Sequence, residues 1–328
     1  MPDRITRHIP VDRFWSLPDV AGRNGASRRV GIEIEFAGLH ETQAADVVRR
    51  IWGGDTCSEA THDLVVRGSV AGDVRVELDT SLKRYAETPL AEMALELSRH
   101  VVPVEIVLPP LDQSWLGEVA RLLDALHAAG AQGSRDGTLH AFGLHLNVEL
   151  ALPSAEHVVP VARAYALMED WLRLVEPLDP MRRVLPFVDP HPRGYIDELA
   201  AFAGDSDLEA FARCYLRHNP TRNRGLDLLP ILTYLCPETV REVLGEMTRE
   251  GRPAWHYRLP ESDLRMTGGG LHRIWNLWCL VERVAVRPGL VDQLAADWRA
   301  HRDAITTTAW DWPRIVTRAL LPARIWQG

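Results

Sequence analysis

A strict alternation of apolar and acidic residues in the run GIEIEF constrains the fold of this chain most. An alternation of period two is typical of a strand that buries one face. Glu33 and Glu35 would then lie on the same face, roughly 7 Å apart. Two carboxylates in that arrangement repel each other unless a cation lies between or beside them, and Mg²⁺ or Mn²⁺ would serve. The alternative is a strand whose polar face simply meets water.

Three further segments alternate in the same way and carry liganding groups opposite their apolar residues. They are 74–79 with Glu77 and Asp79, 104–108 with Glu105, and 141–150 with His145. Glu105 is the least expected of these groups, because the run VPVEIVLPPL is otherwise apolar. A carboxylate in such a run must be paired, bound to a metal or displayed at a cleft. We expect Pro109 and Pro110 to end this strand at Leu108.

The first half of the chain alternates strands with helices, and the second half is mostly helical. Helices are predicted at 40–52, 89–100, 114–129, 155–175, 194–203, 206–218, 226–236, 237–245, 270–286 and 289–303, and further strands at 30–37, 63–67 and 254–259. This pattern predicts an α+β fold with a curved, mainly antiparallel sheet backed by helices. We expect one domain over 1–328. Its sheet-rich core would span about 28–150, and the helical half would complete the site with the strand near 254–259.

Composition excludes several classes of function. The net charge of −8 argues against a nucleic-acid or anionic-membrane partner. No apolar stretch is long enough to span a bilayer, and the four cysteines form no CxxC pair. The charged N-terminus is unlike a signal peptide, so a cytoplasmic protein is expected. Lys83 is the only lysine and lies in SLKRY, which excludes a Walker A loop. Nucleotide phosphates would therefore have to be bound by arginine and metal.

Four strings in order from about 28 to 150, GIEIEF, VELDTSLK, VEIVLPPL and GLHLNV, resemble the putative amidoligase family. NPTRNRGLDL and AWHYRLPES continue the resemblance more loosely. This family belongs to the carboxylate–amine ligases related to glutamine synthetase and glutamate–cysteine ligase. The resemblance implies a glutamine synthetase-like sheet. It also implies ATP- and metal-dependent formation of an amide or isopeptide bond through an acyl phosphate. The substrates would be a small-molecule or peptide carboxylate and an amine.

The resemblance also implies roles for particular residues. Glu33, Glu35 and Glu105 become ligands of divalent metals that bridge ATP phosphates, with His145 as a ligand or phosphate contact. Asp79 would line the substrate site or a metal shell. The arginines that would clamp the transferred phosphate are Arg222, Arg224 and Arg258, of which Arg222 and Arg258 would also bind the nucleotide.

Two positions depart from the family pattern. Asn147 stands where members often have a second histidine, and His256 stands where they tend to have a glutamate. His256 is expected to be a metal ligand that suits Mn²⁺ or Zn²⁺ better than Mg²⁺, and Glu261 is a candidate to replace the missing carboxylate. Two alternatives to the ligase remain open. One is a metal-dependent amide hydrolase, and the other is a degenerate, non-catalytic protein that binds nucleotide or metal.

Two features of the C-terminal third have both a structural and a functional interpretation. The glycine run Gly268–Gly270 could offer amides to a phosphate, or it could be a flexible hinge or the entry to the following helix. Six tryptophans in this third could pack helices against one another, or one of them could stack on adenine.

Overall fold

An antiparallel sheet of eight strands organises the part of the chain that the structure describes. This structure is a computed structural model, and it describes residues 3–19, 22, 25–78, 103–137, 140–176, 178–179, 188–202, 207–245, 250–304, 306, 308 and 310–327. The strands are β1 (Arg29–Phe36), β2 (Asp55–Ala60), β3 (Asp63–Ser69), β4 (Gly72–Leu78), β5 (Val104–Asp112), β6 (Leu144–Glu149), β7 (Leu226–Asp227) and β8 (Ala254–Tyr257). Their order across the sheet is β2-β3-β4-β5-β1-β6-β8-β7.

Eleven helices accompany the sheet in the described residues. They are α1 (Asp3–Thr6), α2 (Glu41–Trp52), α3 (Leu116–Ala128), α4 (Ala155–Val175), α5 (Arg193–Ala201), α6 (Leu208–His218), α7 (Leu229–Leu235), α8 (Pro237–Leu244), α9 (Leu271–Ala285), α10 (Pro288–Asp303) and α11 (Trp312–Ala323). The α+β class and the antiparallel sheet are therefore as predicted. Among the described helices, none combines the length and the apolar character that a membrane span requires.

Helices cover the apolar face of the sheet. Ile32, Ile34 and Phe36 of β1 are completely buried on that face, as the alternation predicts. Helix α2 packs against β3 and β4, and Trp278 of α9 contacts the ring of Tyr257 on β8. Because side chains alternate along a strand, burial of this face leaves the acidic and imidazole groups together on the opposite face.

The prediction that β5 ends at Leu108 is wrong. The strand continues to Asp112, and Pro109 and Pro110 form a bulge opposite Gly31 of β1, between the pairs Ile32–Leu108 and Val30–Leu111. A bulge leaves its extra residues outside the hydrogen-bond ladder, so the missing N–H groups of two prolines cost little there. On its other side β5 pairs with β4 only up to Val107, which leaves the prolines unpaired on that edge too.

The prediction of one helix over 226–236 is also wrong at its start. Leu226 and Asp227 form the short strand β7, and the helix begins only at Leu229. The side chain of Asp227 causes the break, because its Oδ1 accepts the N–H of Leu229 at 3.0 Å while its Oδ2 contacts His256 on β8. Three further elements were not predicted, the short helix α1, the exposed strand β2 and the last helix α11. The predicted helix at 89–100 lies outside the described residues.

The glycine run lies immediately before α9 and packs tightly against α3. Gly268, Gly269 and Gly270 all have positive φ, and a Cβ on Gly268 would come within 2.8 Å of the Cβ of Ala120. The N–H of Gly268 already donates to the carboxylate of Asp124 at 2.6 Å. The structure therefore shows this run as a closely packed entry to α9, as one of the interpretations predicts. Four of the tryptophans, Trp275, Trp278, Trp298 and Trp312, are buried among helices, which supports packing as their role.

Candidate metal centre and active site

Strand register brings the candidate groups into one row across the polar face of the sheet. Residues directly opposite each other on antiparallel strands share a face, and so do residues two apart on one strand. The opposite pairs are Glu77–Glu105, Glu105–Glu35, Glu33–His145, Asn147–His256 and His256–Asp227. Six strands therefore contribute to this row. The convergence that GIEIEF and GLHLNV predict is present in the fold.

Two groups of side chains in this row are close enough to share a cation. One consists of Glu33, His145 and His256, and the other of Glu35, Glu105 and His145. Within each group the potential ligand atoms all lie within 4.8 Å of one another. Five of the residues expected to bind metal thus fall into two adjacent positions that have His145 in common.

Hydrogen bonding at His145 decides which of its nitrogens is available to a metal. Its Nδ1 lies 3.0 Å from Oε2 of Glu33, and its Nε2 lies 3.8 Å from Oε1 of Glu35. With the Nδ1–H donating to Glu33, the Nε2 lone pair faces the position formed by Glu35 and Glu105. A carboxylate that orients a histidine in this way is common behind metal-binding imidazoles. Glu33 therefore supports His145 while its own carboxylate faces His256.

His256 is held in a similar way from the opposite side. Its Nδ1 lies 3.1 Å from Oδ2 of Asp227, which is completely buried. Its Nε2 is buried, has no hydrogen-bond partner among the described residues, and lies 3.5 Å from Oε2 of Glu33. Nε2 of His256 and the carboxylate of Glu33 therefore face each other across this short distance. A cation between them would satisfy both atoms.

The charges of this site favour metal binding. Burial raises the pKa of Glu33, but its contacts with His145 and His256 outweigh burial and hold that pKa well below its usual range. Burial, and then the charge of Arg258, lowers the pKa of His145 despite the nearby carboxylates. Glu33 is therefore an anion and His145 a neutral imidazole at neutral pH. Metal ligands must be in these two protonation states.

Asp227 links the histidine to an arginine. Burial raises its pKa, but His256 and the guanidinium groups of Arg222 and Arg258 together lower it below the ordinary value. Nε of Arg222 donates to Oδ2 of Asp227 at 3.0 Å, and Nη1 of Arg258 donates to the carbonyl oxygen of Arg222 at 2.7 Å. Arg222 and Arg258, two of the three predicted arginines, are therefore anchored beside this row of polar residues, which is called the metal row below.

Arg224 is held elsewhere. Its guanidinium donates to the carbonyl oxygens of Pro190 at 2.7 Å and His218 at 3.5 Å. None of its hydrogen bonds reaches the carboxylates or imidazoles of the row. Its predicted role in binding phosphate stays a prediction that this geometry does not favour. Asp79 lies outside the described residues, so its predicted role is unchanged.

Glu261 does not replace the missing carboxylate of the row. One of its oxygens contacts Arg135, and the other accepts the backbone N–H of Asp179. Asn147 lies in the row and forms hydrogen bonds with two neighbouring side chains. Its Nδ2 donates to Glu33 at 2.9 Å, and its Oδ1 accepts from Arg252 at 2.5 Å.

Sequence reasoning missed two residues of this site. Asp227 stands in NPTRNRGLDL, a string that carries part of the resemblance. Because a helix is predicted over this stretch, the sequence gives no indication that Asp227 lies on a strand. Arg252 lies in the loop before β8, and no pattern in the sequence indicates it.

The donor set fits a divalent cation. One group offers two imidazoles and a carboxylate, and the other offers two carboxylates and an imidazole. Carboxylates suit Mg²⁺ and Mn²⁺, whereas imidazoles favour Mn²⁺ or Zn²⁺ over Mg²⁺. The orphaned Nε2 of His256 is the clearest sign of fit, because a buried acceptor without a partner is costly.

Comparison with known families agrees with this arrangement. The family model described as "putative amidoligase enzyme" matches residues 26–280. The chain belongs to the putative amidoligase family. The family match includes every strand of the sheet and all five residues of the two potential metal groups. The family suggests a ligase that forms amide bonds. Neither the search of curated proteins nor that of solved structures found a match.

Proposed function

We propose that this protein is an ATP- and divalent-metal-dependent carboxylate–amine ligase with a glutamine synthetase-like catalytic core. The observation that carries this proposal is the gathering of Glu33, Glu35, Glu105, His145 and His256 on one sheet face. That face lies within the stretch matched by an amidoligase family. Transfer of a phosphoryl group depends on positioning and on neutralising charge more than on a protein nucleophile. A row of metal-binding groups next to arginines meets this requirement.

Each residue has a definite task in this reaction. Glu35, Glu105 and Nε2 of His145 would hold one cation, and Glu33 with Nε2 of His256 would hold a second. Cations bound there would neutralise the phosphate charges of ATP. Asp227 fixes both His256 and Arg222, so it aligns the second metal position with the arginine beside it. Arg222 and Arg258 would bind the transferred phosphate through charge-assisted hydrogen bonds.

The bond changes need only the two substrates and ATP. A carboxylate oxygen of the acid attacks the γ-phosphorus, which breaks the bond to ADP and forms an acyl phosphate. The amine nitrogen then attacks the acyl carbon, phosphate leaves, and an amide remains after the nitrogen loses a proton. The ligase would use Mn²⁺ at least as well as Mg²⁺, because each potential group includes an imidazole.

Product analysis tests the ligase directly. The protein is incubated with Mn²⁺, ATP and panels of acids and amines, and ADP release is measured. A ligase releases ADP at an enhanced rate only when an acid and an amine are both present. E35Q and E105Q should reduce this rate by roughly a hundredfold or more, because each removes a charged ligand. E149Q is the matched control, since Glu149 lies at the end of β6 and contacts Arg29 instead.

A metal-dependent amide hydrolase is the second candidate. The observation that favours it is the group Glu33, His145 and His256, because two imidazoles and one carboxylate commonly hold a transition metal that activates water. A hydrolase would cleave amides without ATP, and omission of the nucleotide distinguishes the two. If the protein is instead a degenerate, non-catalytic one, millimolar Mg-ATP should fail to raise its melting temperature.

A further inference from the structure

A cavity lies directly beside the metal row and shares an arginine pair with it. Its volume is about 720 Å³, and its lining includes Arg222 and Arg252 together with residues of helices α7 and α8. Pockets for small molecules typically measure about 300–1,000 Å³. This cavity therefore has the size of a substrate pocket, and Arg252 connects it to Asn147 and Glu33.

The end of the cavity next to the metal row is cationic and has unused donors. Arg252 donates from Nη2 to Asn147, but its Nε is buried and has no partner in the part of the chain that the structure describes. Arg222 uses Nε to bind Asp227, and its two terminal nitrogens donate to no group in the described part of the chain. Both guanidinium groups thus have N–H groups available to an anion. Planar guanidinium groups match carboxylates well.

The rest of the cavity has a different character. Leu229, Pro230 and Leu244 supply apolar surface, and Thr233 of α7 also lines the cavity. Glu250 also lines the cavity and is exposed to solvent. A second carboxylate on the ligand would meet this glutamate and be repelled. The walls therefore favour a ligand with one carboxylate and an apolar body over a polyanion.

We propose that this cavity binds the acid substrate, and that this acid is a monocarboxylate with an apolar body of about the size of an amino acid or dipeptide. The proposal rests on the ligase function proposed above and names the class of its acid. The carboxylate would lie between Arg222 and Arg252. Arg252 is 3.6 Å from Oε1 of Glu33, so this position adjoins the metal row where the carboxylate is to be phosphorylated.

Three probes test separately how much the carboxylate and the apolar body of the ligand contribute to binding. N-acetyl-L-leucine has both a carboxylate and an apolar body, N-acetylglycine lacks the apolar body, and N-acetyl-L-leucinamide lacks the carboxylate. Binding to the full chain is measured by saturation-transfer difference NMR and by calorimetry without ATP. We expect N-acetyl-L-leucine to bind at least ~10-fold more tightly than either control, since each lost contact is worth about one power of ten.

Two variants locate the binding. T233W fills the cavity and should weaken binding of N-acetyl-L-leucine at least ~10-fold. V243W is the control, because Val243 is exposed on α8 and does not line the cavity. R252Q removes the charge while keeping a polar side chain, and it should remove the preference for the acid over the amide. Should T233W fail to fold, R252Q alone decides, since its side chain is 43% exposed.

Three results would overturn the proposal. They are equal affinity for all three probes, no binding of any probe at about 10 mM, and binding that both T233W and R252Q leave unchanged. Failure of the ligase function is recognised separately. In that case no acid and amine pair stimulates ADP release, while binding of N-acetyl-L-leucine still depends on Thr233 and Arg252.

Discussion

Asn147 shows how a single residue can depart from a family pattern and still serve its site. It stands where a second histidine is often found, and it binds Glu33 with its amide N–H while accepting from Arg252. An amide of this kind fixes the orientation of the carboxylate rather than contributing a ligand. The metal positions are formed by other residues, so the site keeps its potential metal ligands although position 147 is not a histidine.

Replacement of Asn147 by alanine tests this orienting role. Glu33 would lose one of its hydrogen bonds, and Arg252 would lose its acceptor at 2.5 Å. We expect the affinity for Mn²⁺ to fall about 10- to 100-fold, the usual cost of removing such an outer partner. Titration followed by electron paramagnetic resonance measures this affinity. S58A, on the exposed strand β2, is the control, and a wild-type affinity in N147A would refute the role.

His157 gives a prediction about pH. Burial, followed by the charge of Arg28, lowers the pKa of His157 to about 4 in the folded protein. The value in the unfolded chain is about 6.5. Because the folded pKa is the lower one, the unfolded chain binds a proton first as the pH falls below 6.5. The contribution of this group to stability is therefore complete above pH 6.5 and is lost progressively towards pH 4.

H157Q should remove this part of the pH dependence. Its amide can replace Nε2 as acceptor of the Ala151 N–H, which lies 3.4 Å away. Between pH 7 and 4.5, the free energy of unfolding should fall by about 2–3 kcal/mol less in H157Q than in the wild type. Urea unfolding at the two pH values measures the difference. Parallel losses in both proteins would show that His157 does not titrate in this way.

At the scale of single elements, the start of α9 makes the sharpest prediction. G268A places a Cβ at a backbone φ of +59° and within 2.8 Å of Ala120. The left-handed conformation alone costs about 1–2 kcal/mol, so we expect the free energy of unfolding to drop by about 2 kcal/mol or more. G289A is the matched control, because an added Cβ there meets no described residue within 4 Å and alanine favours the helix. Equal stability of the two variants would contradict this explanation.

Elements that bury one face could be predicted from the sequence, and the others could not. The alternation in β1 and β6 is strict because helices cover their apolar side. Strand β2 has mostly exposed residues and therefore no alternation to detect. The bulge at Pro109 and the start of α7 only after Asp227 depend on partners far along the chain. A local sequence pattern does not indicate such distant partners.

At the scale of the whole molecule, a buried ion pair joins the sheet to the C-terminal helices. Arg28, just before β1, donates two hydrogen bonds to Glu282 of α9 at 2.6 and 2.7 Å, and a third to the carbonyl oxygen of Glu149. Both side chains of the pair are almost completely buried. The prediction of one domain over 1–328 stays a prediction, and this ion pair is a contact through which the two halves can unfold together.

R28M should lower the free energy of unfolding by about 3–5 kcal/mol, because it leaves the carboxylate of Glu282 buried without its cation. The double variant R28M/E282L removes that uncompensated charge and should be more stable than R28M alone. Guanidinium unfolding of the four proteins of this cycle measures the coupling. Additive effects of the two substitutions would contradict it.

Strand alternation indicates which side chains lie on the polar face of each strand, and to that extent the residues of the metal row could be predicted from the sequence. Glu33, Glu35, Glu105 and His145 were assigned to one face on that basis, and the register brings them together. The pairing of His256 with Asp227, and the cavity beside Arg252, come from tertiary contacts that no local pattern specifies.

The most direct test of the central claim is an anomalous diffraction map at the manganese edge, from crystals grown with Mn²⁺ and ATP. We expect one peak bound by Glu35, Glu105 and His145, and a second bound by Glu33 and His256. E35Q should remove the first peak and leave the fold unchanged. Ordered manganese elsewhere in the crystal, with none at this face of the sheet, would contradict the account.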